Sequence, residues 1–168
     1  MPTTRMTVYE GTFEVDGGMG YVEKSVEYSF SIGSKTTVLG SRIVYNVTIT
    51  KAATIENLFV VKVNDKDVAV ERWDAWSSIS SPSRANTVPV SLYQGTNTIK
   101  LVFGRNSVSP GWTSAWDARV YLEIDYEGEA PKPLQKVLPL PEQILIYAIV
   151  ASIVLVGVTV AVKVIAKR

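Results

Sequence analysis

Apolar and polar residues alternate along most of the first three quarters of the chain. The clearest stretch runs from Val22 to Ile32, and the apolar positions that share one face are Val22, Val26, Tyr28, Phe30 and Ile32. A period of two is typical of strands with one buried side and one wet side. Similar stretches cover residues 7–15, 43–50, 58–63, 68–70, 88–93, 98–103 and 118–126. We therefore predict a mainly β domain over residues 1–128, an antiparallel β-sandwich or jelly roll of about eight short strands and no helix.

Two pairs of these strands are close enough to form hairpins. The stretches 58–63 and 68–70 flank Asn64-Asp65-Lys66-Asp67, which contains strong turn formers. The stretches 88–93 and 98–103 flank the turn residues 94–97 in the same way. The oxygens of the first turn could suggest calcium, but the spacing lacks the glycine and distal glutamate of an EF-hand loop. Turn chemistry is the interpretation we prefer.

All four tryptophans fall in two long segments, 73–87 and 104–117, for which we predict no regular structure. The candidate ligand or partner contacts in these loops are Trp73, Asp74, Trp76, Trp112, Trp116 and Asp117. If both loops leave the same end of the sandwich, they form an aromatic platform beside carboxylates, which suits sugar rings. The alternative is that the rings close the end of the core or contact a neighbouring subunit.

Composition excludes several kinds of function. The chain has no histidine and no cysteine, which removes Ser-His-Asp triads, cysteine nucleophiles and the usual zinc sites. Catalysis would need a carboxylate pair such as Asp74 and Asp117, about 5 to 10 Å apart. The formal net charge is +1, without the clustered basic face of a nucleic-acid-binding protein. We expect no enzyme activity, no cofactor, no metal and no nucleic-acid partner.

The C-terminal part of the chain has a different character. Residues Ile144 to Val162 carry no charge over 19 positions, and a helix of that length would be about 28 Å long, close to the thickness of a bilayer core. We predict a transmembrane helix over 143–163 and a basic tail over 164–168; the alternative is a buried core helix or strand pair. A proline-rich stalk, 129–142, should connect it to the domain in an extended conformation outside either sheet.

Small residues in the predicted helix indicate neighbours in the membrane. Ala148 and Ser152 form one small-xxx-small pair, and Gly157 and Ala161 form another. These four residues are the candidate helix-packing positions. The predicted partners are therefore the lipid membrane and other protein subunits, in a homo- or hetero-oligomer, with a glycan as a further candidate.

The charges that flank the helix predict its orientation. Lys163, Lys167 and Arg168 follow it without acidic neighbours, which favours a cytoplasmic or interior C-terminus. The N-terminus has no apolar region of the kind found in signal peptides. The domain should then lie outside the cell or on the exterior of a virion.

Two segments resemble a known fold family. The hairpin Val61 to Val68 and the stretch Leu92-Tyr93-Gln94-Gly95-Thr96-Asn97-Thr98-Ile99 are similar to motifs of the galactose-binding-like jelly roll. Asp65 stands where that pattern prefers glycine. The resemblance implies the fold, and such sandwiches serve as sugar-binding modules, protein-interaction domains and virion proteins.

The sequence thus predicts a non-enzymatic, tail-anchored, single-pass membrane protein that displays a β-sandwich on a surface or virion assembly. A membrane-tethered carbohydrate-binding module and an accessory subunit of a multi-subunit membrane complex are the alternatives. Separately, Asn46-Val47-Thr48 fits the N-glycosylation triplet. A three-residue match inside a predicted strand is weak evidence by itself.

Overall fold

The computed structural model describes residues 1–52, 55–75 and 77–138. Contacts divide the chain into the units Met1–Lys136 and Val137–Arg168, and only Val137 and Leu138 of the second unit are described. The predicted transmembrane helix, the basic tail and the packing residues Ala148, Ser152, Gly157 and Ala161 lie outside the described residues. Within the described ranges, no helix has the length and apolar character needed to cross a bilayer.

The first unit is built from strands. Their bounds are β1 Thr3–Val15, β2 Gly20–Ile32, β3 Thr36–Lys51, β4 Glu56–Val63, β5 Lys66–Asp74, β6 Ser83–Pro89, β7 Gly95–Ser107, β8 Ser114–Gly128 and β9 Gln135–Val137. One short helix, α1, spans Ser77–Ser80. The predicted class is confirmed, since the fold is mainly β and antiparallel.

The strands form two sheets with the order of a jelly roll. One sheet has the order β1-β8-β3-β6 and the other the order β5-β4-β7-β2-β9. In chain order the first eight strands switch from one sheet to the other at every step except between β4 and β5, which pair with each other as a hairpin. The orders β1-β8-β3-β6 and β5-β4-β7-β2 are those of a jelly roll. The chain is therefore a jelly-roll β-sandwich, as the two motif segments implied.

The core lies between the inward faces of the two sheets. In β8 the buried positions follow a period of two and include Ala118, Val120, Leu122 and Ile124, while Arg119, between the first two, is exposed. In β7 the inward residues Ile99, Leu101 and Phe103 are also fully buried. Burial of each side chain of this kind contributes about 1.5–3 kcal/mol. The alternating pattern of the sequence thus becomes the main hydrophobic core, and Leu58, Val60 and Val102 form a second, smaller cluster.

The first predicted hairpin is present, with a tighter turn than expected. Only Asn64 and Asp65 lie between β4 and β5, and their φ angles are 49° and 62°. Two consecutive residues with positive φ are typical of a type I′ turn. The Nδ2 of Asn64 donates to Oδ1 of Asn97 (3.0 Å), and its Oδ1 accepts from the backbone N of Thr98 (2.9 Å). The two motif segments are therefore bonded to each other, and Oδ1 of Asn64, one of the turn oxygens that could have suggested calcium, accepts a hydrogen bond from Thr98.

The second predicted hairpin is wrong. The strand near residue 88 is β6, it ends at Pro89, and it pairs with β3, placing Val88 beside Ile43. β7 pairs with β2 and β4 instead. Segment 73–87 is not without regular structure either, since it contains α1 and most of β6. β6 is a polar edge strand that is held by backbone hydrogen bonds to β3. Because it depends on these bonds and not on an apolar face of its own, its sequence lacks the apolar alternation that marks the other strands.

Part of the predicted stalk also departs from expectation. Gln135–Val137 forms β9 at the edge of the five-stranded sheet, next to β2. Before it, the backbone N of Lys132 donates to the carbonyl of Ser31 (2.9 Å), and Pro131 is buried. The prediction that the proline-rich segment stays out of the sheets is therefore wrong for residues 135–137. β9 itself contains no proline, so each of its residues keeps the backbone N–H that pairing in a sheet requires.

Candidate functional site

Four loops meet at one end of the sandwich. In the five-stranded sheet, Asn57 near the start of β4 lies beside Trp73 near the end of β5 and Arg105 near the end of β7. In the other sheet, Ser114 at the start of β8 pairs with Val15 at the end of β1. The loops at this end include, among the described residues, 16–19, 52 and 55, 75 and 77–82, and 108–113, and we call them together the loop end. The two tryptophan-bearing segments thus leave the same end of the sandwich.

The loop end carries exposed apolar side chains. Of the ten large apolar residues that are exposed in the described part of the chain, five lie here. They are Met19, Ile55, Ile79, Val108 and Trp112, with exposed fractions between 43% and 80%. Every one of the four loops contributes at least one of them. Isolated exposed apolar residues are normal on protein surfaces, but a concentration at one place is typical of an interaction site.

The charges around this end are neutralised by local partners. Lys24 lies 2.5 Å from Asp16, Lys51 lies 3.2 Å from Glu14 and Arg72 lies 2.6 Å from Glu56. The hydrogen bond from Lys24 lowers the pKa of the Asp16 carboxyl below its usual value. The loop end is therefore an apolar surface surrounded by paired positive and negative side chains, and not a surface with an excess of one charge.

Two of the four predicted rings are part of the core. Trp73 and Trp116 are fully buried. The ring of Trp116 lies 5.5 Å from that of Phe103, and the guanidinium of Arg84 lies 5.4 Å from the centre of the Trp73 ring. This arrangement matches the alternative in which the rings close the end of the core. Neither indole can stack on a ligand in this conformation.

The other two rings differ from these. Trp112 is about half exposed and borders a recess of about 520 Å³, together with Lys51, Ala52 and Pro110. Trp76 lies outside the described residues. A platform made from all four rings is therefore not what the structure places here, and of the three tryptophans that the structure describes, Trp112 is the one open to a partner.

The two predicted carboxylates have separate local roles. Asp74 ends β5, and its Oδ1 accepts from the backbone N of Ser77 (2.7 Å) at the start of α1. Asp117 points outward from β8 and accepts from Oγ1 of Thr12 (2.6 Å). They belong to different sheets, so the sandwich separates them, and they do not face each other as a glycosidase pair would. Among the described residues, no group of three acidic side chains is arranged to hold a metal ion.

A polar layer beneath the loop end escaped the sequence reasoning. Its members are buried: Asn57, Ser78, Arg105, Ser107 and Ser114. Asn57 shares the inward parity of β4 with Phe59, and Arg105 shares that of β7 with Phe103. The alternation of inward and outward positions along β4 and β7 could have placed Asn57 and Arg105 in the interior. The sequence analysis also missed four exposed apolar residues of the loop end, Met19, Ile55, Ile79 and Val108. An apolar residue inside a turn-rich segment is the signal that could have indicated them.

Arg105 connects this layer to the first loop. Its Nη2 donates to the carbonyl of Gly18 (2.8 Å), while Nε and Nη1 have no hydrogen-bond partner in the described part of the protein. A buried guanidinium is costly unless it is bonded. This bond therefore holds the 16–19 loop, and with it Met19, over the end of the core.

Comparisons with known proteins gave matches among solved structures alone. The sequence matches no protein-family model and no curated protein. Among solved structures, the chain is similar to one of the Gx strain of infectious bursal disease virus, with 13% identity and a TM-score of 0.46. The match covers 79% of this chain and 34% of that one, so the chain spans about a third of the viral chain.

Carbohydrate-binding modules also match. A family 35 module from an environmental isolate has 20% identity and a TM-score of 0.35, over 76% of this chain and 80% of that one. The CBM36-1 domain of a multidomain xylanase from the hindgut metagenome of Trinervitermes trinervoides has 13% identity and a TM-score of 0.36, over 76% and 100%. The fold assignment itself rests on the strand order described above.

Proposed function

We propose that this protein is a non-enzymatic structural or adhesive subunit of a surface or virion assembly. Its jelly-roll domain binds another protein through the loop end. The observation that carries the proposal is the set of exposed apolar side chains that all four loops place at one end of the sandwich. Placing such residues in water is unfavourable, so a partner that covers them stabilises the complex.

The chemistry of the loop end favours a protein partner. Specific interfaces have an apolar centre rich in Trp and Met and a polar rim in which charges are compensated. Here Trp112, Met19 and Ile79 are exposed, and the nearby charges are paired, as in Lys24–Asp16. An anionic lipid surface would instead call for unpaired Lys and Arg at this end. A hydrophobic patch with a neutral rim suits the surface of another subunit.

The rest of the chain supplies the proposed location. The uncharged stretch 144–162 is long enough to cross a bilayer as a helix, and the positive charges after it favour an interior C-terminus. The domain is then displayed on the outside, held by this anchor. The absence of enzyme chemistry is part of the proposal and is supported by the separation of Asp74 and Asp117 on different sheets.

A glycan ligand is the second candidate. It is favoured by one observation, the half-exposed Trp112 beside a recess whose other members include Lys51 and Thr113. An exposed indole next to hydrogen-bonding groups can stack on a sugar ring and orient its hydroxyls. This candidate needs only Trp112, whereas the protein partner would use all four loops.

The experiment compares assembly size for variants at the two ends of the sandwich. Full-length protein is extracted from its membrane or particle in mild detergent, and the mass of the complex is measured by light scattering. The double variant Ile79→Ser, Trp112→Ser should release single chains. The control is Tyr93→Ser, an equally exposed apolar residue in the loop at the opposite end.

The outcomes separate the candidates. Loss of assembly in the double variant, with an unchanged melting temperature and an intact Tyr93→Ser complex, supports the protein partner. An unchanged complex in the double variant refutes it. Loss of binding to a glycan array in Trp112→Ser alone, with the assembly intact, identifies the second candidate instead.

A further inference from the structure

Asn46 and Thr48 share the outward face of β3, in the four-stranded sheet. Val47 between them is fully buried, as the period of two requires, while Asn46 is exposed. The side-chain amide of Asn46 makes no hydrogen bond to the described part of the protein, unlike the Asn57, Asn64, Asn86 and Asn97 amides. The triplet Asn46-Val47-Thr48 therefore presents a free acceptor amide to solvent.

The surface beside Asn46 has room for a bulky group. A recess of about 270 Å³ is lined by Asn46 and Thr48 of β3, by residues of the neighbouring β8 that include Asp117 and Arg119, and by residues of β1 beyond it that include Gly11. Gly11 has φ of 145°, a conformation that other residues rarely adopt, and without a side chain it leaves this part of the face open. The recess is an observation on the surface of the structure and the triplet is one on the sequence, so the two are independent. Both include Asn46 and Thr48.

The neighbours of Asn46 provide polar contacts and an open side. Glu10 and Arg119 form a 3.3 Å ion pair at one border of the recess, and carboxylate and guanidinium groups bind sugar hydroxyls well. On the other side, the residue in register with Asn46 is Ala85 of the edge strand β6. Ala85 is small and exposed, so a branched group can leave the sheet over this edge without a clash.

We infer that Asn46 is a modification site that carries an N-linked oligosaccharide. The Nδ2 of Asn46 loses a proton and bonds to the anomeric carbon of the first sugar. That carbon breaks its bond to the diphosphate of a lipid-linked oligosaccharide, and the lipid diphosphate leaves. The Thr48 hydroxyl, two residues on, completes the triplet that the transferase recognises. The glycan would cover the outer face of the four-stranded sheet and leave the loop end free.

This inference rests on the exterior location in the proposed function, because transfer takes place on the outer side of a membrane. The first measurement needs no variant. Full-length protein is isolated from the cells that naturally make it and digested with trypsin, and the peptide Ile43 to Lys51 is analysed by mass spectrometry. The expected result is a peptide with sugar masses on Asn46. Recovery of the peptide only in its unmodified form overturns the inference.

Variants and a labelling experiment sharpen the test. Asn46→Gln and Thr48→Ala should abolish the modification, whereas Thr48→Ser should keep it. Asn86→Gln is the matched control, since Asn86 is exposed on the neighbouring strand but has no Ser or Thr two residues on. In parallel, intact cells or particles are treated with an amine reagent that does not cross membranes. If the reagent labels the domain and the peptide is unmodified, the domain lies outside and only the glycan is refuted. If the domain is unlabelled and the peptide is unmodified, the exterior location is refuted as well.

Discussion

The hydroxyl of Ser114 donates a hydrogen bond of 2.6 Å to Oδ1 of Asn57, and both residues are fully buried. Ser114 begins β8 in one sheet and Asn57 lies in β4 of the other, so the bond crosses the interior of the sandwich. On its other side, Nδ2 of Asn57 lies 3.4 Å from Oγ of Ser78 in α1. Asn57 therefore joins the two sheets and α1 directly beneath the loop end.

Ser114→Ala should reduce the free energy of unfolding by about 1–3 kcal/mol, because it removes the donor from a buried amide oxygen. Urea unfolding measures the change. Ser83→Ala is the control, since Ser83 is exposed and bonds to Thr48 at the surface (2.9 Å), and its effect should stay within about 0.5 kcal/mol. Equal effects in the two variants would show that the Ser114–Asn57 bond does not hold the sheets together.

Asp65→Gly should stabilise the protein by up to about 1 kcal/mol, because Asp65 has a positive φ in a turn that favours glycine at this position. Asp65→Val should instead destabilise it by about 1–2 kcal/mol, since a branched residue resists the left-handed conformation. The melting temperatures of the two variants, compared with that of the wild type, measure both changes in stability. A loss of stability in Asp65→Gly would contradict the assigned turn.

Gly128→Ala should destabilise the domain by about 2–3 kcal/mol. Its φ is +88°, and a Cβ there would lie 2.0 Å from the carbonyl oxygen of Lys35. Gly18→Ala is a matched control, because nothing lies within 4 Å of its Cβ position. Urea unfolding should show a large loss for Gly128→Ala and almost none for Gly18→Ala, and the reverse order would mean that the end of β8 is placed differently.

The stability of the domain should fall as the pH rises above about 10, the usual pKa of a tyrosine. Tyr21 is half exposed, and the partial burial of its phenol, followed by the hydrogen bond to Glu23 (2.9 Å), raises its pKa to about 12. Burial, and then the bond to Glu71, also raise the pKa of Tyr45. Between the unfolded and folded pKa values, the unfolded chain has released protons that the folded protein still holds, so unfolding becomes more favourable.

Urea unfolding at a series of alkaline pH values tests this dependence. The double variant Tyr21→Phe, Tyr45→Phe should lose less stability with rising pH than the wild type does. A residual slope is expected, since burial also raises the pKa of Tyr9 and Tyr28. Tyr93→Phe is the control, because the Tyr93 hydroxyl, unlike those of Tyr21 and Tyr45, bonds to no carboxylate in the described part of the protein, and this variant should follow the wild type. An unchanged slope in the double variant would contradict the assignment.

The sequence predicted the fold where alternation and turn chemistry agree. The parity of Val22 to Ile32 located β2, and Asn64-Asp65 located a hairpin, because both depend on local rules. It failed at β6, whose stability comes from backbone bonds to β3 and not from an apolar face of its own. At Trp73 and Trp116 the sequence left two interpretations open, because a large ring in a predicted loop can as well close a core as bind a ligand, and the burial of both rings agrees with the first.

Composition could not locate the candidate site itself. Met19, Ile55, Ile79 and Val108 are scattered over some ninety positions of the sequence, and each is unremarkable alone. Only the strand order brings their loops to one end of the sandwich. The C-terminal helix is a different case, because its prediction needs only length and apolar character, and it remains a prediction of the sequence.

Photo-crosslinking in the intact assembly tests the central claim most directly. A light-activated amino acid is introduced at position 79 in the loop end or at position 93 in the loop opposite, in the full-length protein. The account predicts that position 79 becomes covalently linked to another protein chain and that position 93 does not. Crosslinks from position 79 to lipid alone, or equal protein crosslinks from both positions, would contradict it.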